Sequence, residues 1–425
     1  MADFHVNGER LWNALHHLAE IGATEAGGVA RVALTDADKA GRDQFVEWVT
    51  ELECSVHIDR MGNLFARREG TDPNRDPVVI GSHLDSQPTG GKFDGAYVVM
   101  VGLEILRVLT DHEHITEAPI EVVSWTNEEG ARFPPAMLGS GVFGGEFSLE
   151  DGLGATAQDG TVLVDELTRI GYSGSDPCGS RPVGYYLEPH IEQGPILEAS
   201  DISVGIVTGV QGIRWYDVSI RGVESHAGTT PMDRRSDAML SAARLITAVD
   251  EIAKSRSEGR STVGVIASTP GSRNTVAGTV DLSVDLRHPD PEELSRMNDE
   301  LVQFAKSMNP PASVNQIWYS PPVEFDGDIV NAIRDSASQG GFESADIVSG
   351  AGHDAVYINR VAPTGMLFIP CEDGLSHNEA ENITQEHSTI GAEVTLQAAL
   401  RLADRDTSTG TDRSPRLQDT KNPPS

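Results

Sequence analysis

The chain has 425 residues, of which 38% are hydrophobic and 23% charged, so it is long enough for two domains and too apolar for wholesale disorder. Its 65 acidic against 32 basic residues leave a formal net charge of −33, a surface that repels phosphate backbones and makes nucleic acid a poor partner. No run approaches the length needed to span a bilayer, so no membrane partner is expected. The start, Met-Ala-Asp-Phe-His, carries no basic region followed by an apolar stretch, so a secretory signal is not expected. Cys54, Cys178 and Cys371 lie far apart and form no Cys-x-x-Cys pair, which fits a reducing cytoplasm and argues against a disulfide scaffold. The basic residues are almost all arginine; only Lys39, Lys92, Lys254, Lys306 and Lys421 are lysine. Few lysines and many carboxylates are expected where abundant salt screens self-repulsion, so a halophilic cytoplasm is the reading. An acidic mesophilic enzyme is the plainer alternative.

Residues 1–20 and 36–53 show helix-like apolar spacing, with Trp12, Leu15 and Leu18 in the first and Phe45, Trp48 and Val49 in the second. Residues 77–82 read as a short buried strand. A Gly-rich loop follows (residues 89–95), then an apolar helix over 96–109. Residues 120–125 and 185–188 read as further strands, and the alternation predicts an α/β domain with a mainly parallel sheet. From Gly212 to Pro322 the rhythm changes. Strands are predicted over 215–222, 262–268, 279–287 and 314–319, with helices over 232–253 and 291–308. That β-α-β-β-α-β order is the ferredoxin-like signature. The expected organisation is a catalytic α/β domain in two segments, 1–211 and 324–403, with an inserted α+β domain at 212–323. A Thr-, Ser-, Asp- and Pro-rich tail, 404–425, is expected to be disordered.

Imidazoles and carboxylates follow the predicted strands. His83 and Asp85 come after 78–80, Asp94 lies in the Gly-rich loop, and Glu128-Glu129 follow 120–125. His190 ends the strand at 185–188, and His377 follows the apolar stretch 366–369. Carboxyl ends of strands line the ligand crevice of open α/β sheets, so these groups can converge. Histidines with shared carboxylates suit zinc or another borderline divalent metal. Asp85 stands two residues from His83, on the same side of an extended chain, and could accept the other imidazole N–H. Asp94 could bridge two ions, and the adjacent glutamates could divide metal binding from proton transfer. Taken singly, a histidine after a strand is ordinarily structural, paired glutamates a solvated loop, and Asp94 a turn residue.

Eight segments resemble the hydantoinase/carbamoylase family of amidases, within the dinuclear-zinc aminoacylase and exopeptidase superfamily. They are Gly81-Ser-His-Leu-Asp-Ser86, Gly91-Lys-Phe-Asp-Gly95, Thr126-Asn-Glu-Glu-Gly-Ala-Arg-Phe133, Met137-Leu-Gly-Ser140 and Glu188-Pro-His-Ile-Glu-Gln-Gly194, followed by Gly222-Val-Glu-Ser-His-Ala-Gly228, Gly350-Ala-Gly-His-Asp-Ala355 and Asp373-Gly-Leu-Ser-His377. The likeness runs over residues 8 to 403. That family includes N-carbamoyl-L-amino acid hydrolases, β-ureidopropionases and allantoate amidohydrolases. The resemblance implies two divalent ions per subunit, zinc first, with manganese, cobalt or nickel as alternatives. It places one on His83, Asp94 and His190, the other on Asp94, Glu129 and His377. It implies Glu128 as general base and then acid, and His226 contacting the scissile group from the partner subunit of a homodimer. Asn274 and Arg287 match substrate-carboxylate binders, Gln193 and Gly352 line the pocket, and Cys371 is read as packing. Without the resemblance, His226 would be a capping residue, Arg287 a surface salt-bridge partner and Asn274 a turn residue. The implied reaction is hydrolysis of a ureido or carbamoyl C–N bond by metal-bound hydroxide, with the inserted domain as lid and dimer interface. A metallo-exopeptidase or aminoacylase on the same scaffold is the rival enzyme, and a non-catalytic binding protein the rival outside catalysis.

Overall fold

The computed structural model describes residues 4–405. Residues 4–208 with 325–405 form one unit, and Gly209–Glu324 form the other. The division falls just outside 212–323 because the two connections pair with each other: Val323 opposes Val210 and Glu324 opposes Gly209 in a short antiparallel ladder. The expected tail, apart from Asp404 and Arg405, lies outside the described residues.

The first unit is built on a nine-stranded sheet. Its centre is parallel: Ile120–Trp125, Val78–His83, Tyr185–Ile191 and Thr364–Ile369 lie side by side. Antiparallel strands flank them, Leu64–Arg68 and Ser55–Ile58 on one side and Val204–Val210 on the other. Every residue of the four central strands is buried, as expected for parallel strands covered on both faces. The helix Ala96–Asp111 packs on this centre and is itself apolar nearly all round, burying Val98, Val101, Ile105 and Leu109 among others. Each such side chain contributes about 1.5–3 kcal/mol by leaving water. Gly8–Glu20 and Gln385–Ala403 pack beside it. Their starts are fixed by side-chain caps: Asn7 accepts from the Arg10 amide and Thr384 from that of His387.

In the second unit the strands Ile266–Thr269, Thr279–His288, Gly212–Arg221 and Ala312–Ser320 form one antiparallel sheet in that order. Helices Ala238–Lys254 and Pro291–Ser307 cover one face. This is a ferredoxin-like arrangement. Val280, Leu282, Val284 and Leu286 face the helices, alternating with Asp281, Ser283, Asp285 and Arg287 on the open face. Two elements differ from the sequence reading. The strand expected over 262–268 is split into Arg260–Thr262 and Ile266–Thr269. Thr262 opposes Asp285 and Ile266 opposes Leu282, so four steps on one strand match three on the other and the extra residue makes a bulge. The helix expected from 232 starts at Ala238, because the Asp237 carboxylate accepts from the amides of Met239 and Leu240.

No helix among the described residues is long and apolar enough to cross a membrane. All three cysteines are free thiols.

Candidate metal centre

The parallel strands deliver the polar groups to one end of the sheet. His83 closes Val78–His83, His190 is the penultimate residue of Tyr185–Ile191, and Glu128-Glu129 follow Ile120–Trp125. Asp94 is brought in by the Gly-rich loop. Gly95 has φ +63°, and a Cβ there would lie 2.4 Å from His83 Nε2, so only glycine lets this loop press against the imidazole. Asn127, Gln193 and His377 also adopt left-handed backbone, at φ 56°, 57° and 52°. Such conformations cost about 1–3 kcal/mol each and cluster where function over-determines the backbone.

The three imidazoles point at one carboxylate. His83 Nε2 lies 3.8 Å and His190 Nε2 3.3 Å from Asp94 Oδ1, while His377 Nε2 lies 3.3 Å from Asp94 Oδ2 and 3.3 Å from Glu129 Oε2. His83 Nδ1 donates to the carbonyl of Asp85 at 2.7 Å, and His190 Nδ1 to that of Ile191 at 2.9 Å. Each backbone carbonyl requires a proton on Nδ1, which in the neutral ring leaves the Nε2 lone pair for a ligand. Here Asp85 departs from the sequence reading. Its backbone carbonyl, not its carboxylate, takes the imidazole N–H; the carboxylate stands 4.0 Å away. That carboxylate instead accepts from the amides of Glu128 and Glu129, 3.3 Å each, and so shapes the turn bearing both glutamates.

Two ligand-capable trios result, His83–Asp94–His190 and Asp94–Glu129–His377, sharing Asp94. A third trio, Glu188–His190–His353, shares His190 with the first. Glu188 is already engaged, accepting from Ser82 Oγ at 2.9 Å and the Ala355 amide at 2.8 Å. His353 packs against His190, ring centroids 4.6 Å apart and planes tilted by 59°. Among the described residues Glu128 belongs to no such trio. Its carboxylate lies 3.5 Å from His83 Nε2.

Burial pushes Glu128 well above the usual carboxylate range, and the neighbouring carboxylates Asp354, Glu129 and Asp94 push it further. Burial and Asp94 push Glu129 up to about 8, and burial with Asp38 pushes Asp85 up to about 7. Burial would raise Asp94 too, but hydrogen bonds from the protonated forms of His190 and His377, which Asp94 in turn favours, hold it well below its ordinary value. Burial drops His83 to about 4, so it is neutral and able to ligate. This crowding of buried carboxylates around neutral-capable imidazoles is costly without cations. The donor set, nitrogen and carboxylate oxygen with no thiolate, fits two borderline divalent ions.

Gln193 donates to Asp94 Oδ2 at 2.8 Å and to Ser376 Oγ at 3.2 Å, placing its amide at the shared carboxylate. Gly352 precedes His353, and a Cβ there would lie 3.1 Å from the Met137 methyl. Cys371 is buried, its thiol toward the Gly194 carbonyl and pushed by burial up to about 11, a packing position.

In the second unit His226 and Asn274 are neighbours: Ser225–His226 pairs with Thr275–Val276, and the Ala227 amide donates to the Asn274 carbonyl. His226 Nδ1 accepts from the amides of Gly228 and Thr229, at 3.1 and 3.3 Å, so the neutral ring carries its proton on Nε2. The ring is exposed. Arg287 grips Asp285 with Nε at 3.0 Å and Nη2 at 2.8 Å, while Trp215 Nε1 donates to the same carboxylate.

Sequence reasoning passed over Gln87, Glu188, His353, Asp354 and Glu381, all placed around these ligands. Gln87 holds Glu129 through its amide N–H and its side chain, at 3.1 and 2.7 Å. Glu188, His353 and Asp354 stood inside segments that carried the resemblance. Nothing in sequence singles out Glu381, because two of its three partners are backbone amides nearly 290 residues away.

Residues 79–401 match the family model for peptidase family M20/M25/M40. The chain belongs to that family, and within it to the hydantoinase/carbamoylase amidases. It is 45% identical over 404 residues to an N-carbamoyl-L-amino-acid amidohydrolase of Rhizobium meliloti, covering 94% of this chain and 97% of that one. It is 32% identical over 400 residues to an allantoate amidohydrolase of Bacillus subtilis, covering 91% and 95%. Among solved structures, a hydantoinase/carbamoylase family amidase from Burkholderia multivorans is 51% identical with a TM-score of 0.91, covering 95% and 99%.

Proposed function

We propose that this protein hydrolyses the carbamoyl C–N bond of an N-carbamoyl-L-amino acid, using two divalent metal ions, zinc first. The observation that carries this reading is the convergence of His83, His190, His377 and Glu129 on the one carboxylate of Asp94, with a separate half-buried glutamate, Glu128, beside them. Ions on the two trios would supply Lewis acidity and bring the pKa of a coordinated water toward neutrality. Glu128 takes a proton from the attacking water and returns it to the leaving amine nitrogen, a role suited to a carboxyl that burial and neighbouring carboxylates raise well above the ordinary range. Water adds at the carbamoyl carbon and the C–N bond breaks. The products are the amino acid and carbamate, which falls apart to ammonia and carbon dioxide. The named relative from Rhizobium meliloti supports the carbamoyl amino acid; the Bacillus subtilis relative makes allantoate the second candidate. β-Ureidopropionate is a third, with exopeptidase or aminoacylase activity last.

In this reading Asn274 and Arg287 hold the substrate carboxylate, and Gln193 and Gly352 line the pocket. Arg287 is the most testable of these, because its grip on Asp285 is also what a purely structural arginine would show. A planar guanidinium pairs with a carboxylate through two parallel hydrogen bonds, which lysine cannot copy. Arg287→Lys is expected to raise KM for an N-carbamoyl amino acid about ten- to hundredfold, on the order of 1.5–3 kcal/mol. The same variant should change KM little for the substrate amidated at its carboxylate. Equal losses on both substrates would make Arg287 structural.

The reading includes a homodimer. Exposed apolar side chains support it: Val265 and Ile266 at one edge of the second unit's sheet, Ile317, Trp318 and Tyr319 on the opposite edge strand. Exposed edges of this kind are templates for pairing with another chain. His226 of each subunit would then serve the partner's centre, donating from Nε2 to the developing oxyanion.

The charge of −33 adds a salt-adapted protein to the reading. The melting temperature is expected to rise steadily from low to molar salt as carboxylate repulsion is screened. A melting temperature indifferent to salt over that range removes the halophilic element.

A further inference from the structure

The two ligand trios are anchored differently. His83 and His190 are strand residues, each with Nδ1 tied to a backbone carbonyl, and both are buried. His377 sits on a loop, in left-handed backbone, with its side chain 52% exposed. Something other than the sheet must hold it near Asp94 and Glu129.

We infer that Glu381 is the positioning residue that clamps the His377 loop to the Asp94 loop, and so governs retention of the ion on Asp94, Glu129 and His377. Glu381 is 2% exposed and lies four residues beyond His377. Its Oε1 accepts from the backbone amides of Phe93 and Asp94, at 3.0 and 3.1 Å. Its Oε2 accepts from Ser376 Oγ at 3.0 Å, and that hydroxyl also lies 3.3 Å from Asp94 Oδ2. One carboxylate therefore reaches the main chain of the shared ligand and the residue next to the exposed one. The loop is moulded to it: a Cβ on Gly91 would lie 2.1 Å from the Glu381 carboxyl carbon. Residues that orient ligands in this way are typically worth ten- to hundredfold in metal affinity.

The inference rests on the two-ion reading, and calorimetric titration of the metal-free, full-length protein with Mn²⁺ separates the two. Wild type should take two ions per subunit. Glu381→Ala should weaken one of them about ten- to hundredfold and leave the other within about threefold. Glu381→Gln should stay near wild type, since its amide oxygen still accepts from both backbone N–H groups and its amino group can donate to Ser376 Oγ. Should Glu381→Ala fold poorly, Ser376→Ala, which removes one arm of the clamp, should weaken the same ion by a smaller factor. Wild type binding fewer than two ions would overturn the two-ion reading itself. With two ions in wild type, the clamp alone is overturned by unchanged affinities in both alanine variants, by equal weakening of both ions, or by Glu381→Gln behaving like Glu381→Ala.

Discussion

Glu128→Gln is expected to reduce turnover by about a hundredfold or more while each subunit keeps about two ions. The side chain lies beside the ligands without belonging to either trio, so glutamine, of nearly the same shape, removes a proton acceptor and no ligand. The surroundings make the carboxyl suitable for the task. Burial and the carboxylates of Asp354, Glu129 and Asp94 push it well above the ordinary range, so it can carry a proton between water and leaving nitrogen. Metal analysis beside initial rates decides the matter. More than about a tenth of wild-type activity would remove Glu128 from general base catalysis, because that contribution typically amounts to 10²-fold or more. Loss of an ion together with the activity would make it a ligand instead.

The second large effect concerns His226. Glu128→Gln and His226→Ala proteins should each be nearly inactive alone, and mixing them with subunit exchange should restore about a quarter of wild-type activity. Half of the reassembled dimers are mixed, and each mixed dimer has one site with both Glu128 and the partner's His226 intact. The physical motive is the imidazole itself. Its Nδ1 is occupied by the amides of Gly228 and Thr229, which leaves Nε2–H as an exposed donor. A histidine that merely ties its own turn would make His226→Ala nearly silent. No recovery despite verified exchange would place His226 in its own subunit's site or outside catalysis.

How much of this was legible in sequence depended on whether a signal was local. The alternation of Val280, Leu282, Val284 and Leu286 predicts a half-buried strand, and the structure buries those four against the helices. The strand at residues 262–268 could not be read correctly, since the bulge that splits it depends on the register against Thr279–His288. The antiparallel strands Ser55–Ile58 and Leu64–Arg68 escaped because they are short and carry polar residues; Arg67 is held by the tertiary partner Glu121. At the centre, residue type and strand-end position carried the metal-capable groups, which is why His83, Asp94, Glu129, His190 and His377 stood out together. What supports them did not. Asp85 works through a backbone carbonyl and through the amides it accepts, and Glu381 through amides of a distant loop. Main-chain partners have no residue code.

Metal-dependent cleavage of a carbamoyl C–N bond is tested most directly by ammonia release. Full-length protein, stripped of metal and reloaded with zinc, manganese or cobalt in molar salt, should be offered N-carbamoyl-L-amino acids, allantoate and β-ureidopropionate. The expected result is one ammonia for each N-carbamoyl-L-amino acid cleaved, no release before reloading, and no release after chelation. Protein verified to hold two ions per subunit that releases no ammonia from any of the three substrate classes would contradict it.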